Sequence, residues 1–193
     1  MNRLKVVHDS STDSPRNWDN LGTMVCFHGR YDLGDKHKYY SDEYQGWEEL
    51  KKAILKNNGS GTIVLPLYLY DHSGITMRTS PFSCRFDSGQ VGFILANREN
   101  ILSEFGVKRV TKKIKEKVSS ILEGEVETYT QYLEGEVYGF EIVDEDDNHI
   151  DSCYGFYGTD FATNGMLDYI DHNLLGVAEG EVVALLDGAE IEY

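Results

Sequence analysis

Apolar residues recur along the chain in two patterns, and each pattern predicts a different kind of secondary structure. Short runs rich in β-branched and aromatic residues, bounded by turn residues, predict strands. These runs lie at 3–8, 22–28, 61–70, 75–80, 91–96, 136–144 and 150–157. The last two flank an acidic loop and therefore predict a β-hairpin. The C-terminal segment 181–193 is expected to add one strand, or two strands that turn at Asp187-Gly188.

Apolar residues spaced three and four apart predict helices elsewhere. The helical segments are 42–57, 100–122 with a division at Gly106, and a short segment at 166–175. Together with the strands they predict the α+β class, as a mixed or antiparallel sheet with about three helices packed on it. A chain of 193 residues has the usual size of one domain, so we predict a single domain over 1–193.

A short string, LEGEV, recurs in the C-terminal part of the chain. It occurs at 122–126 and 133–137, and EGEV occurs again at 179–182. The spacing between the copies is irregular, so we interpret the string as recurring turn chemistry rather than as a structural repeat.

The cysteine pattern and the length of the apolar runs limit the class of protein. Cys26, Cys84 and Cys153 are far apart and form no CxxC pair, which argues against a disulfide framework or a zinc site and favours a reducing compartment. No run approaches the roughly 20 apolar residues that cross a bilayer. No GxGxxG or GxxxxGK[ST] phosphate-binding loop is found. We therefore expect a cytoplasmic protein with no membrane association, no cofactor and no bound metal.

Acidic residues are concentrated in the C-terminal part of the chain. Residues 1–96 contain 11 basic and 11 acidic side chains, 97–117 contain seven and three, and 118–193 contain 19 acidic side chains and no Lys or Arg. Nothing within 118–193 can neutralise these carboxylates locally. Affinity for nucleic acid comes from Lys and Arg that displace counterions. We therefore do not expect direct nucleic-acid binding, and the charge favours a basic partner or serves solubility.

The basic stretch that precedes the acidic part has two interpretations. Its six cations are Lys108, Arg109, Lys112, Lys113, Lys115 and Lys117. A helix face of this kind can contact nucleic acid, but it is more often a solvated surface, here able to pair with the carboxylate-rich part. We take the solvated face as the expectation and nucleic-acid contact as the alternative.

Two groups of residues carry candidate chemistry. The turn Asp71-His72-Ser73-Gly74, with Cys84 and Asp87 near it in sequence, is a weak candidate for a nucleophilic site, because a nucleophile needs a base within hydrogen-bond reach. An ordinary turn explains the same residues. Cys26 and His28 fall on one face of a predicted strand and suggest a metal site with His37 or His72, although a buried cysteine beside a satisfied histidine is commoner.

The segment DSPRNWDN near the N-terminus is rich in turn and capping residues. Asp19 and Asn20 suit a turn or a cap, so for this segment we favour an internal brace over a recognition surface.

Four strings in the chain carry a resemblance to a known group of proteins. They are DSPRNWDNLGTMVCFHGRYDLGD at 13–35, YDHSGITMRTSPFSCRFDSGQVGFI at 70–94, YLEGEVYGF at 132–140 and DSCYGFYGTDFATNGMLDYI at 151–170. They resemble uncharacterised accessory proteins of bacteriophages and integrative conjugative elements, and the likeness spans most of the chain. The resemblance transfers no catalytic residue. It implies a small accessory protein that a mobile element expresses inside a bacterial cell.

Charge and resemblance together lead to one functional expectation. Accessory proteins of mobile elements often inhibit host defences, and carboxylates held on a surface can imitate a phosphate backbone. We expect a non-enzymatic protein that binds a basic host protein, a nuclease or a CRISPR or restriction component, and inhibits it. The expected binding residues are Glu134, Glu136, Glu141, Asp144, Glu145, Asp146, Asp147, Asp151, Tyr138 and Tyr154. The alternative is a small enzyme with a Cys/His/Asp site at His72, Cys84 and Asp87. The oligomeric state is left open.

Overall fold

The computed structural model of the chain describes residues 2–84 and 86–192. Its strands are β1 (Arg3–His8), β2 (Thr23–Cys26), β3 (Ile63–Asp71), β4 (Ile75–Arg78), β5 (Ser88–Ala96), β6 (Val137–Val143), β7 (His149–Tyr157) and β8 (Ile191–Glu192). Its α-helices are α1 (Trp47–Asn58), α2 (Arg98–Glu104), α3 (Lys112–Glu134), α4 (His172–Leu175) and α5 (Val182–Asp187). These elements form two compact units, which we call unit 1 (residues 1–13 and 131–193) and unit 2 (residues 14–130).

Unit 2 contains an antiparallel sheet in the order β2-β5-β3-β4. Helix α1 buries Leu50 and Ile54, which lie one helical turn apart, against Val25, Phe93 and Leu95 of the sheet. The residues of α3 that belong to unit 2 also bury one stripe, made of Val118, Leu122, Val126 and Tyr129. Strand β5 is buried at every position from Val91 to Ala96, so both of its faces contribute to the core of this unit.

Each edge strand of the unit 2 sheet has one residue, Met77 of β4 and Met24 of β2, whose backbone N–H and C=O both bond to other groups of the same unit. The hydroxyl of Thr130 accepts a hydrogen bond from Met77 N at 3.1 Å and donates one to Met77 O at 2.6 Å, which covers β4. On β2, Met24 N donates to Asp35 Oδ2 at 2.7 Å and Met24 O accepts from Asp35 N at 3.0 Å. These bonds satisfy edge groups that would otherwise be open to pairing with another strand.

Unit 1 contains a mixed sheet in the order β7-β6-β1-β8, in which β8 is parallel to β1 and the other pairs are antiparallel. Its core holds Val6 of β1 with Phe140 and Ile142 of β6, and Val182 and Leu186 of α5 pack into the same cluster. Because Val182 and Leu186 are four residues apart, they lie on one face of a helix.

The α+β class is confirmed, with one mixed and one antiparallel sheet and helices packed on them. We expected a single sheet and a single domain over 1–193, whereas the structure has two sheets in two compact units. Two local predictions were wrong. The first LEGEV copy, 122–126, lies inside α3, and 182–187 is the helix α5 rather than a strand. In both places the i to i+4 spacing of buried residues decides the structure.

Candidate functional site

The two units differ sharply in charge. Unit 1 contains 18 acidic residues and two basic ones, a formal charge of −16, whereas unit 2 contains 15 acidic and 16 basic residues, a formal charge of +1. All of the excess negative charge of the protein belongs to one compact unit.

The most acidic part of unit 1 is the loop between β6 and β7. Asp144 accepts hydrogen bonds from Asp146 N at 2.9 Å and from Asn148 N at 2.8 Å, and its second oxygen accepts from Asn148 Nδ2 at 2.9 Å. The bonds from Asn148 are the main reason that the pKa of Asp144 lies below its ordinary value. Asp144 therefore shapes the loop, and the adjacent Glu145 and Asp146 are exposed.

Two cations of β1 partly neutralise this surface. Strand β1 pairs with β6, so that Lys5 lies opposite Glu141. Arg3 contacts Asp147 at 2.7 Å, and Lys5 lies 3.4 Å from Asp147 and 3.2 Å from Glu192. The expectation that the carboxylates lack local partners holds along the sequence but not in the sheet. Arg3 and Lys5 satisfy Asp147, which leaves Asp147 less available to a partner than Asp146.

The tyrosines that we predicted as contact residues fall into two classes. Tyr138 is 5% exposed and belongs to the core of unit 1, so its assignment as a binding residue was wrong. Tyr154 is 46% exposed, and its hydroxyl donates a hydrogen bond to Glu141. That bond, followed by desolvation, raises the pKa of Tyr154 to about 12, so the hydroxyl stays protonated at neutral pH.

The other predicted carboxylates have mixed surroundings. Glu134 is exposed, whereas Glu136, Glu141 and Asp151 are half-buried. Desolvation, followed by the charge of Glu134, raises the pKa of Glu136 above its ordinary value. Asp151 uses one oxygen to accept a bond from Ser152 N at 2.9 Å. In the hairpin Asp146 is exposed, whereas Asp151 lies opposite Ile142 and Tyr154 lies opposite Gly139, so the last two side chains are on opposite faces of β7.

The structure brings together the three weak catalytic candidates of unit 2. Asp87 Oδ2 lies 3.4 Å from His72 Nδ1 and 3.6 Å from Cys84 Sγ, which donates to it. The carboxylate therefore stands between the thiol and the imidazole. A thiol nucleophile is activated by an imidazole beside it, with the carboxylate behind the imidazole. In unit 2 the carboxylate of Asp87, and not the imidazole of His72, lies next to the thiol of Cys84. The cluster therefore does not form that kind of triad.

The histidines that suggested a metal site have other contacts. Strand β2 ends at Cys26, and the Nδ1 of His28 lies in hydrogen-bond range of Arg30 N and Tyr31 N, 3.3 Å from each. His37 Nε2 lies 3.1 Å from the carbonyl of Cys26, which places the proton on Nε2. Within residues 2–84 and 86–192, no group of three or more His, Cys, Asp or Glu side chains is placed to hold a metal ion.

The segment of unit 2 from Cys26 to Ser41, which contains His28 and His37, lines an open cleft of about 570 Å³. Phe27, Tyr31, Asp32 and Lys36 lie along it, and no sequence pattern had predicted a cavity there. Small-molecule sites often have this volume, but they are mostly apolar with a few convergent polar groups. The cleft carries charges of both signs, and its shape alone defines no ligand.

Arg16 makes the DSPR part of the DSPRNWDN segment an internal brace, as we favoured, whereas Trp18 and Asp19 of the same segment are exposed. The Arg16 side chain is 5% exposed and contacts Asp35 at 2.7 Å and Glu125 at 3.0 Å, and its third partner is Gly22 O at 2.7 Å. Gly22 N in turn donates to the other oxygen of Glu125 at 3.0 Å. Asp35 and Glu125 were not predicted as partners of Arg16, because nothing in their local sequence distinguishes them from other loop and helix carboxylates.

Comparisons with known proteins give no match: no protein family, no curated protein and no solved structure matches the chain. Among the described residues, none of the helices combines the length and the apolar composition needed to span a bilayer. The proposal about function therefore starts from the charge, exposure and contacts of this chain's own residues and from the strings quoted in the sequence analysis.

Proposed function

We propose that the chain is a binding protein whose acidic unit 1 occupies the basic, nucleic-acid-binding surface of another protein and inhibits it. The observation that carries the proposal is the formal charge of −16 in unit 1 beside +1 in unit 2. Soluble small domains work well with a net charge of about 2 to 8 in magnitude. Unit 1 exceeds that range, so solubility alone does not account for its charge.

The hairpin face supplies the contact residues for this function. Asp146 and Glu145 are exposed in the loop, and Tyr154 adds a half-exposed aromatic ring whose hydroxyl is held by Glu141. Exposed carboxylates increase the rate of association with a basic surface, and a held tyrosine offers contact area at a low cost in conformational entropy. Asp144 and Asp147 support the face rather than contact the partner, since they shape the loop and pair with Arg3.

The resemblance to accessory proteins of mobile elements supports one class of target. Such an element gains from blocking a nuclease or a CRISPR or restriction component of the bacterium, and these proteins have basic grooves for nucleic acid. The proposal therefore places the chain in the bacterial cytoplasm, bound to one such protein in the groove that nucleic acid would occupy.

Affinity capture from a bacterial lysate tests the proposal. The purified chain is immobilised, the lysate is applied at low and at high salt, and bound proteins are identified by mass spectrometry. We expect one nucleic-acid-handling defence protein to be recovered at low salt and lost at high salt, because salt screens contacts between exposed charges. Recovery of partners that lack a basic nucleic-acid surface, or that resist salt, would contradict the proposal.

The enzyme alternative depends on the convergence of His72, Asp87 and Cys84. A Cys84→Ala variant removes the thiol and leaves unit 1 unchanged. If the biological effect of the protein is lost while partner capture is retained, the cluster carries an activity. An effect that persists in Cys84→Ala removes the main support for this alternative.

A further inference from the structure

The second charged surface of the protein is the basic segment, which we define as residues 108–117 of unit 2. Its six cations are all exposed: Lys108, Arg109, Lys112, Lys113, Lys115 and Lys117. Within the part of the chain that the structure describes, their one ion pair joins Lys112 to Glu116 at 3.9 Å, between side chains that are both largely exposed. A pair of that kind contributes little. We expected the segment to be able to pair with the carboxylate-rich part, residues 118–193. The ion pair between Lys112 and Glu116 is not a pairing of that kind.

The place of the basic segment in unit 2 increases its positive potential. Lys112, Lys113 and Lys115 lie in the first turns of the 23-residue helix α3, whose first turn contains no acidic residue. The start of a helix carries a partial positive charge from its free N–H groups. The positive charges of the side chains and the partial positive charge of the helix dipole therefore add at the N-terminal end of α3. Unit 2 has a net charge near zero, so it does not repel an anion as unit 1 does.

The composition of the basic segment selects among anionic partners. Five of its six cations are lysines, and no aromatic residue occurs between Val107 and Val118. Lysine acts as a point charge toward phosphate, and binding to single strands uses aromatic side chains on which bases stack. A segment without aromatic residues suits the backbone of a duplex. At about 1.5 Å per residue, the helical part from 112 to 117 spans about 8 Å, a length over which a duplex presents about four charges.

We propose that the basic segment binds the phosphate backbone of double-stranded nucleic acid without sequence preference. This activity belongs to unit 2 and goes beyond the proposed function of unit 1. A second copy of the chain is the other polyanion available, since its unit 1 carries a formal −16. A contact between the basic segment of one copy and unit 1 of the next is heterologous and generates open chains unless its rotation closes a ring. The duplex is therefore the partner to which we commit.

Fluorescence anisotropy of the full-length protein with a labelled DNA duplex of about 20 base pairs tests the proposal, as one such duplex covers several times the length of the segment. We expect binding at low salt, with a slope of log affinity against log salt of about −3 to −5 for four or five phosphate contacts. The variant Lys112→Glu/Lys113→Glu/Lys115→Glu should bind the duplex at least about tenfold more weakly. The magnitude of its slope of log affinity against log salt should be smaller by about three.

The matched control is Lys51→Glu/Lys52→Glu/Lys56→Glu on α1, which changes the net charge of unit 2 by the same amount. It should keep the wild-type salt slope. Circular dichroism of both variants checks that they fold.

The proposal is overturned if the wild-type protein does not bind the duplex at low salt, or if both variants lose affinity equally. It is also overturned if the duplex does not bind but light scattering shows larger assemblies at low salt that the Lys112 variant abolishes. That last result would identify a second copy as the partner. Only that last result involves unit 1, as the surface that the basic segment of another copy would contact.

Discussion

Arg16 and Glu125 are 109 positions apart in the sequence and form an ion pair of 3.0 Å, with only 5% and 11% of their side chains exposed. Glu125 lies on α3, and Arg16 lies in the DSPR segment, where Asp35 holds its other face at 2.7 Å. The pair therefore joins three distant segments of unit 2. Removing one partner of such a group leaves a buried charge without compensation.

We predict that Arg16→Met destabilises the protein by about 3 to 5 kcal/mol, because methionine fills similar space but leaves Asp35 and Glu125 without their cation. Urea unfolding measures the change. The control is Arg30→Met, since Arg30 pairs with Asp71 but is 70% exposed, and it should cost less than about 1 kcal/mol. Equal effects of the two substitutions would show that the buried network does not brace unit 2.

Gly92 is a position on β5 where no side chain fits. It lies between Cys26 of β2 and Leu67 of β3, and a Cβ atom there would stand 1.9 Å from the carbonyl oxygen of Val25. We predict that Gly92→Ala costs about 3 kcal/mol or more in unfolding free energy, because the backbone must move. Gly89→Ala on the same strand meets no atom within 4 Å and should cost less than about 1 kcal/mol. A stable Gly92→Ala protein would contradict the β2-β5 pairing.

The hydroxyl of Thr130 closes the edge of β4, and its loss should be measurable. Thr130→Val keeps the shape of the side chain but leaves both Met77 N and Met77 O without a partner. We expect a loss of about 1 to 3 kcal/mol in thermal or urea unfolding. Thr128→Val on the same helix removes an exposed bond to Gly124 O and should change the stability by less than about 0.5 kcal/mol. Similar losses in both variants would argue against the edge contact.

Cys26 gives unit 2 a dependence on alkaline pH. Burial, followed by the charge of Asp35, raises the pKa of its thiol from 9.0 to about 12. The unfolded chain therefore releases this proton first, so stability is full below pH 9 and falls as the pH rises toward 12, by at most about 1.4 kcal/mol per pH unit. Cys26→Ala should flatten the fall between pH of about 9 and 10.5 relative to the wild-type protein. Parallel curves for Cys26→Ala and the wild type would contradict the burial of Cys26.

The elements that depend on local pattern were predictable from the sequence. Strand β1 was predicted at its observed bounds, and the hairpin of β6 and β7 was recognised from two apolar runs around an acidic loop. At Pro66, which has no N–H to donate, β3 pairs with β5, and a register shift follows directly after Leu67. These features follow from properties of neighbouring residues.

The features that depend on distant contacts were not predictable. The pairing of β1 with β6 brings Arg3 to Asp147 across 144 positions, which no charge count along the chain reveals. Tyr138 looks like a surface tyrosine in an acidic segment, yet the strand alternation and the fold of unit 1 place it in the core. The helix α3 runs through Gly124 because Leu122 and Val126 continue its buried face on either side.

The central claim is that the acidic hairpin of unit 1 binds a basic partner, and one affinity measurement tests it most directly. The partner recovered by capture is titrated with the wild-type chain, with a hairpin variant and with a unit 2 variant. The hairpin variant is Glu145→Gln/Asp146→Asn/Asp151→Asn, and the unit 2 variant is Asp42→Asn/Glu48→Gln/Glu104→Gln, which removes as many carboxylates from the other unit. We predict that the hairpin variant binds about tenfold or more weakly while the unit 2 variant binds like the wild type. Equal affinity of all three proteins would contradict the claim.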